Sequence, residues 1–169
     1  MKNSLFILGQ LSDEDVDWII INGQKTFFKP GDILIKQEEP IEELFITIKG
    51  KFEVINETTD QQLAILGNGE ILGEMSYIND KLPSATVKVL QDSIVHVIKR
   101  ISITEKLAED PYFATRFYKA MATMLSDRLR QTQSSVNDDD SNELDMTVIE
   151  KLHLAGARFE RILKKFDIN

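Results

Sequence analysis

The spacing of apolar residues separates a strand-rich middle part of the chain from helical parts on either side. Between Lys25 and Lys99, short apolar runs are interrupted by polar breaks that contain Gly, Pro or Asp, and Val87–Val89 alternates residue by residue. Short strands with turns about every 8–12 residues are typical of a sandwich or barrel. The predicted strands cover residues 25–28, 33–36, 44–49, 52–56, 61–66, 84–90 and 94–99. No helix of crossover length separates them, which disfavours a doubly wound parallel sheet.

Helical spacing is found before and after these strands. The predicted helices cover residues 13–22, 103–108, about 111–135 and about 145–166. Ser12 with Asp15 forms a capping box at the start of the first helix. Ser102 with Glu105 forms the same pattern and predicts the start of the second. Asp110, followed by a proline, is a typical cap for the third.

The third and longest predicted helix carries two apolar stripes. One stripe contains Phe113, Phe117, Ala120 and Met124, and the other contains Tyr118, Ala122, Leu125, Leu129, Thr132 and Val136. One stripe can cover the strands, and the other then needs a partner. Its alternating spacing of four and three predicts a homodimer through Tyr118, Leu125 and Leu129. The alternative is that both stripes pack within the same chain.

These patterns predict three parts of the chain. Residues 1–24 form an N-terminal helical segment, and residues 25–135 form one domain, with strands at 25–99 and helices at 101–135. Residues 136–169 contain an acidic linker and an amphipathic helix. The apolar stripe of that last helix makes 145–166 a candidate surface for a protein partner.

Composition narrows the possible functions. A net charge of −8 at pH 7 argues against a broad nucleic-acid-binding face, although it leaves a small anionic ligand possible. The absence of cysteine excludes disulfides and thiol nucleophiles. His96 and His153 are isolated, so no metal site is expected, and no set of residues suggests an enzyme. No apolar run approaches the ~20 residues of a membrane span, and no signal peptide is recognised, so we expect a cytoplasmic protein.

The most specific chemistry lies at Gly67–Ser76 and at the Pro83-Ser84-Ala85-Thr86 run that follows it. A short helix beginning near Gly73 would offer unpaired backbone N–H groups to an anion. Glycine allows close approach of the backbone to a ligand. The Glu74 carboxylate could accept hydrogen bonds from sugar hydroxyls. The residues from 67 to 99 include no arginine.

These motifs resemble the cyclic nucleotide-binding domain family, over about residues 27–135. The signs are Pro30-Gly31-Asp32, a strand–Gly50–strand hairpin, Gly73-Glu74-Met75-Ser76 and Ser84-Ala85-Thr86-Val87, followed by a long helix. The resemblance implies a mainly β fold with flanking α-helices, namely a jelly-roll-like (double-stranded β-helix) barrel. It also implies a ligand held in a cassette between two strands.

The resemblance assigns roles to particular residues of this cassette. Glu74 matches the glutamate that binds ribose, and Thr132 falls near the place where the long helix touches the base. The groups around the cyclic phosphate would come from Gly73, Met75, Ser76, Ser84 and Ala85. No cofactor is required, and a cyclic nucleotide is the implied ligand.

Pro83 departs from the family pattern, because nucleotide-binding members usually have a phosphate-binding arginine at this position. Proline offers neither charge nor N–H. Lys81 could compensate for the missing arginine, or it could be a solvated loop residue.

Two functions are therefore predicted. One is a regulatory module that senses a phosphate-containing ligand and signals through its C-terminal helices, and the other is a dimerisation or interaction scaffold with a degenerate pocket. The residues after 135 are too few for a helix-turn-helix module, so DNA binding is not expected.

Overall fold

The computed structural model describes residues 8–134 and 146–165, with residues 128, 131–134 and 146–152 described by their backbone alone. The strands are β1 (Gly23–Phe28), β2 (Ile33–Ile35), β3 (Glu43–Lys49), β4 (Phe52–Asn56), β5 (Gln61–Leu66), β6 (Ile71–Leu72), β7 (Thr86–Val89) and β8 (Ser93–Lys99). The helices are α1 (Asp13–Asn22), α2 (Glu74–Asn79), α3 (Arg100–Glu109), α4 (Pro111–Ser134) and α5 (Met146–Lys165).

The strands form two antiparallel sheets. The helix-covered sheet has the order β1-β8-β3-β6, and the outer sheet has the order β2-β7-β4-β5. This confirms the predicted mainly β fold with flanking helices. Every predicted strand is present, with its ends shifted by at most two residues. Strand β6 was not predicted, because two residues are too few to show alternation.

Alternation along β3 explains how the layers stack. Leu44 and Ile46 pack into a cluster with the helices, whereas Phe45 packs into a cluster between the two sheets. The first apolar stripe of α4 is buried in the helical cluster, as the spacing indicated. Among the described residues, no helix is both long enough and apolar enough to cross a membrane.

Two local predictions were wrong. The second capping box does not start a helix, because α3 begins at Arg100 directly after β8, with Lys99 at its N-cap and no side-chain cap. The Gly50 turn is not a hairpin between paired strands. It carries the chain from β3 in the helix-covered sheet to β4 in the outer sheet, so the two strands pair with other neighbours.

Helix α1 was predicted with its observed ends. Ser12 accepts a hydrogen bond from the Asp15 amide at 3.2 Å, and the Asp15 carboxylate accepts one from the Ser12 amide at 2.7 Å. This is the reciprocal arrangement of a capping box, which satisfies two backbone donors at the helix start.

Candidate functional site

The candidate site lies on residues 73–85, the connection that leaves β6 in one sheet and enters β7 in the other. Helix α2 begins directly after Gly73, whose φ of +89° lies in the left-handed region. A Cβ at this position would lie 2.8 Å from the Ile41 Cδ1 atom and 3.0 Å from the Glu43 carbonyl oxygen. Glycine is therefore required both by the backbone angle and by the neighbouring strand segment.

The predicted ligand residues differ in their exposure. Glu74 at the start of α2 is 3% exposed and Ser76 is also buried, whereas Met75 is 52% exposed. At the other end of the connection, Ser84 is exposed and Ala85 is partly buried. The predicted residues 73–76 and 84–85 thus lie at opposite ends of the connection between β6 and β7.

The two remaining predicted ligand residues are Lys81 and Thr132. Lys81 is exposed in the loop after α2. Thr132 belongs to the last turns of α4, but its side chain lies outside the described residues.

Pro83 is buried, and its carbonyl oxygen accepts a hydrogen bond from the Glu38 amide at 2.9 Å. Glu38 has a φ of +60°, so the loop after β2 turns sharply to make this contact. The position where an arginine was expected is therefore part of a loop-to-loop contact.

A hydrogen-bonding network next to Ser84 fixes the beginning of β7. The Thr86 hydroxyl donates to the Glu57 carboxylate at 2.9 Å and accepts from the Gln37 amide at 2.9 Å. Lys36 donates to both oxygens of Glu57, at 2.6 and 2.8 Å. Hydrogen bonds from Lys36 and Thr86 hold the pKa of Glu57 below its ordinary value. The network joins the loop after β2, the turn after β4 and the first residue of β7.

Arg100, the first arginine in the sequence, binds the far end of α2. Its guanidinium donates to the Ser76 carbonyl at 3.3 Å and forms an ion pair with Asp80. The carbonyl end of a helix favours a cation, so Arg100 stabilises the C-terminal end of α2. Sequence reasoning missed this residue because it follows Ser76 by 24 positions and no local pattern links the two.

Tyr77 connects α2 with the helices that follow the strands. Its hydroxyl lies 3.2 Å from the Thr104 hydroxyl on α3, and its ring meets Phe117 of α4 edge-on at 5.9 Å. Arg100 stacks over the same ring, with its Cζ atom 5.1 Å from the ring centroid. Burial raises the pKa of Tyr77, which therefore remains a neutral hydrogen-bonding group. Tyr77 therefore places α2 in direct contact with both α3 and α4.

His96 lies in the core, where it contacts the backbone of α1. Nε2 of the fully buried His96 lies 2.8 Å from the Ile19 carbonyl oxygen, to which it donates. Burial lowers the pKa of His96, outweighing the opposite effect of that hydrogen bond. Within residues 8–134 and 146–165, no group of three His, Cys, Asp or Glu side chains could hold a metal ion.

Comparisons with known proteins agree with this geometry. A family model described as "Cyclic nucleotide-binding domain" matches residues 25–110. The chain is 26% identical over 129 residues to the human voltage-gated delayed rectifier potassium channel KCNH5 and 31% identical over 111 residues to the Drosophila melanogaster potassium voltage-gated channel protein eag. These matches cover 75% and 64% of the chain, but only 13% and 9% of the channels.

Solved structures share the fold. A cyclic nucleotide-binding domain from Methylobacillus flagellatus has a TM-score of 0.70 at 21% identity, with 85% of each chain covered. The catabolite activator protein of Thermus thermophilus has a TM-score of 0.62 at 19% identity, with 93% of this chain and 84% of that protein covered. At these identities, the likeness concerns the fold alone.

Proposed function

The chain belongs to the cyclic nucleotide-binding domain family, and from this premise we propose that it is a regulatory module that senses a small phosphate-containing ligand. In this proposal the ligand lies between the start of α2 and the residues before β7. Glu74 binds sugar hydroxyls, while the amides at Gly73–Ser76 and Ser84–Ala85 face the phosphate. The observation that carries the proposal is the Gly73 elbow, which holds Glu74 buried at the start of α2.

Pro83 determines how tightly such a ligand is held. A charge-assisted hydrogen bond to phosphate contributes about 1.5–3 kcal/mol, so the lack of arginine should weaken binding about 10–150-fold. Lys81 lies in the same loop and could supply a positive charge, but an ammonium cannot form the two parallel hydrogen bonds of a guanidinium. We therefore expect weak binding in the wild-type chain.

Calorimetry with cyclic AMP, cyclic GMP and cyclic dinucleotides tests this proposal. The variant Pro83→Arg should tighten binding of one of these ligands by at least about tenfold. The matched control Pro83→Ala removes the proline without adding charge and should leave affinity within about threefold of the wild type. If neither the wild type nor Pro83→Arg binds any of these ligands at millimolar concentration, the nucleotide proposal is wrong.

Signalling is proposed to pass from α2 to α3 and α4 through Tyr77 and Arg100. The single tryptophan, Trp18, packs against Phe113 of α4 with ring centroids 5.4 Å apart, so its fluorescence reports on this helix. Saturating ligand should change the emission of Trp18. Tyr77→Phe should reduce that change at full occupancy, because it removes the hydrogen bond to Thr104.

We also propose that two copies pair through the second stripe of α4. Tyr118 and Leu129 are 50% and 60% exposed, and Leu125 is partly buried. Light scattering should give a dimer for the wild type and a monomer for Leu129→Glu. The control Tyr112→Glu changes an exposed residue outside the stripe and should remain dimeric. A dimer that forms with no detectable ligand binding would favour the scaffold function, and a monomeric wild type would exclude this seam.

A non-enzymatic role and a cytoplasmic location remain predictions from the sequence. Both predictions fit a regulatory domain of this kind. Turnover of any bound ligand in the calorimeter would contradict the non-enzymatic role.

A further inference from the structure

Helix α5 is joined to α1 by two arginine–aspartate pairs. Arg158 Nε lies 2.7 Å from an Asp13 oxygen, and Arg161 Nη2 lies 2.7 Å from an Asp17 oxygen. The two arginines are three positions apart, so they project from one face of α5. The two aspartates are four positions apart, so they project from one face of α1. These matched spacings align α5 along α1.

Arg158 makes the most extensive of these contacts. It is only 9% exposed, and its Nη1 atom also donates to the carbonyl oxygens of Leu8 at 2.7 Å and Leu11 at 2.5 Å. The guanidinium thus binds backbone carbonyls that immediately precede α1, in addition to the Asp13 carboxylate.

The apolar part of this contact is narrow. Among the described side chains of α5, Ala155 and Ile162 are the buried apolar residues, and Phe159 and Leu163 are partly buried against the same cluster.

The charges of the two helices are complementary. Residues 146–165 contain five basic and two acidic residues, whereas α1 contains acidic residues and no basic one.

Helix α1 also contacts α4 and the core. Buried Asp15 pairs with Arg116 of α4 through two hydrogen bonds, at 2.6 and 2.8 Å. Burial opposes ionisation of Asp15, but the hydrogen bonds from Arg116 and Ser12 outweigh it and keep its pKa below the ordinary value. Val16 and Ile19 are also buried in the core. Helix α1 therefore has contacts to the body of the domain that do not involve α5.

From these contacts we infer that α5 is held reversibly on α1, a contact that we call the clasp. The acidic face of α1, together with the carbonyls of Leu8 and Leu11, then forms a docking surface for a basic amphipathic helix. In the closed form the occupant is α5 of the same chain. Each of the two ion pairs has an exposed partner, so added salt should weaken both pairs and with them the clasp.

Hydrogen exchange on the full-length wild-type chain tests the clasp directly. Backbone amides of α5 should lose protection between about 0.1 M and about 1 M NaCl, where the Debye length falls from about 10 Å to about 3 Å. Amides of α1 and α4 should keep their protection. Equal protection of α5 at both salt concentrations, or joint loss in α1 and α5, would show that α5 is an ordinary part of the core.

Charge reversal separates the specific pair from net charge. Arg161→Glu should reduce protection of α5 by about threefold or more, and adding Asp17→Lys to the same chain should restore it. The control Lys164→Glu changes the charge of the same helix equally at an exposed position and should have less than about a twofold effect. Equal effects of the two single variants would overturn the inference.

Cross-linking identifies the occupant, because the chain has no cysteine of its own. A short bismaleimide added to the Asp17→Cys/Arg161→Cys chain should produce a cross-linked monomer. Covalent dimers in its place would show that a second copy supplies the helix, which contradicts a clasp within one chain.

Discussion

The substitution Gly73→Ala tests whether the elbow of the candidate site depends on glycine in the way that the structure indicates. The φ of +89° costs a non-glycine residue about 1–2 kcal/mol. The new Cβ would also lie 2.8 Å from Ile41 Cδ1 and 3.0 Å from the Glu43 carbonyl oxygen. Such overpacking costs about 1–3 kcal/mol. We therefore expect the free energy of unfolding to fall by roughly 2–5 kcal/mol.

Two other glycines provide matched controls for this measurement. Gly31 has a φ of +97° but open space around its Cβ position, so Gly31→Ala should show the backbone cost alone, about 1–2 kcal/mol. Gly67 has open space and no positive φ, so Gly67→Ala should stay within about 0.5 kcal/mol of the wild type. Urea unfolding at neutral pH measures all three variants.

The difference between Gly73→Ala and Gly31→Ala isolates the contact with the neighbouring segment. Adding Ile41→Val removes the Cδ1 atom and with it part of the overpacking, so it should recover about 1 kcal/mol of the loss in Gly73→Ala. If Gly73→Ala is no more destabilising than Gly31→Ala, the close approach of Ile41 and Glu43 is not what requires glycine at the elbow.

Two further outcomes follow from the hydrogen bonds. Thr86→Val removes the contacts to Glu57 and Gln37 and should lower the free energy of unfolding by about 1–3 kcal/mol in urea, whereas Thr59→Val, at an exposed position, should cost under about 0.5 kcal/mol. Because burial lowers the pKa of His96 in the folded state, the unfolded chain binds a proton first as the pH falls. Stability should therefore decline as the pH drops below about 6.5, the ordinary pKa of histidine. His96→Gln should flatten that decline in a pH series of urea titrations, and an unchanged slope would show that His96 does not cause it.

Local pattern was enough to predict the features that depend on residues a few positions apart. Helix α1 and strands β4 and β5 have their predicted ends, because a capping box and short apolar runs bounded by turns act within a few residues. The glycine elbow before Glu74 was visible for the same reason. Where tertiary contact decided a boundary, local reasoning was wrong: α3 starts at Arg100 because β8 runs directly into it, and Ser102 does not cap it.

The tertiary structure alone decided which distant residues meet. Arg100 reaches Ser76 across 24 positions, and Arg161 reaches Asp17 across 144. No periodicity or motif encodes such contacts, since they depend on the path by which two sheets and the terminal helices stack. The sequence determined most of the elements and the residue types of the candidate site, whereas packing determined that Tyr77 touches α3 and α4 and that α5 lies on α1.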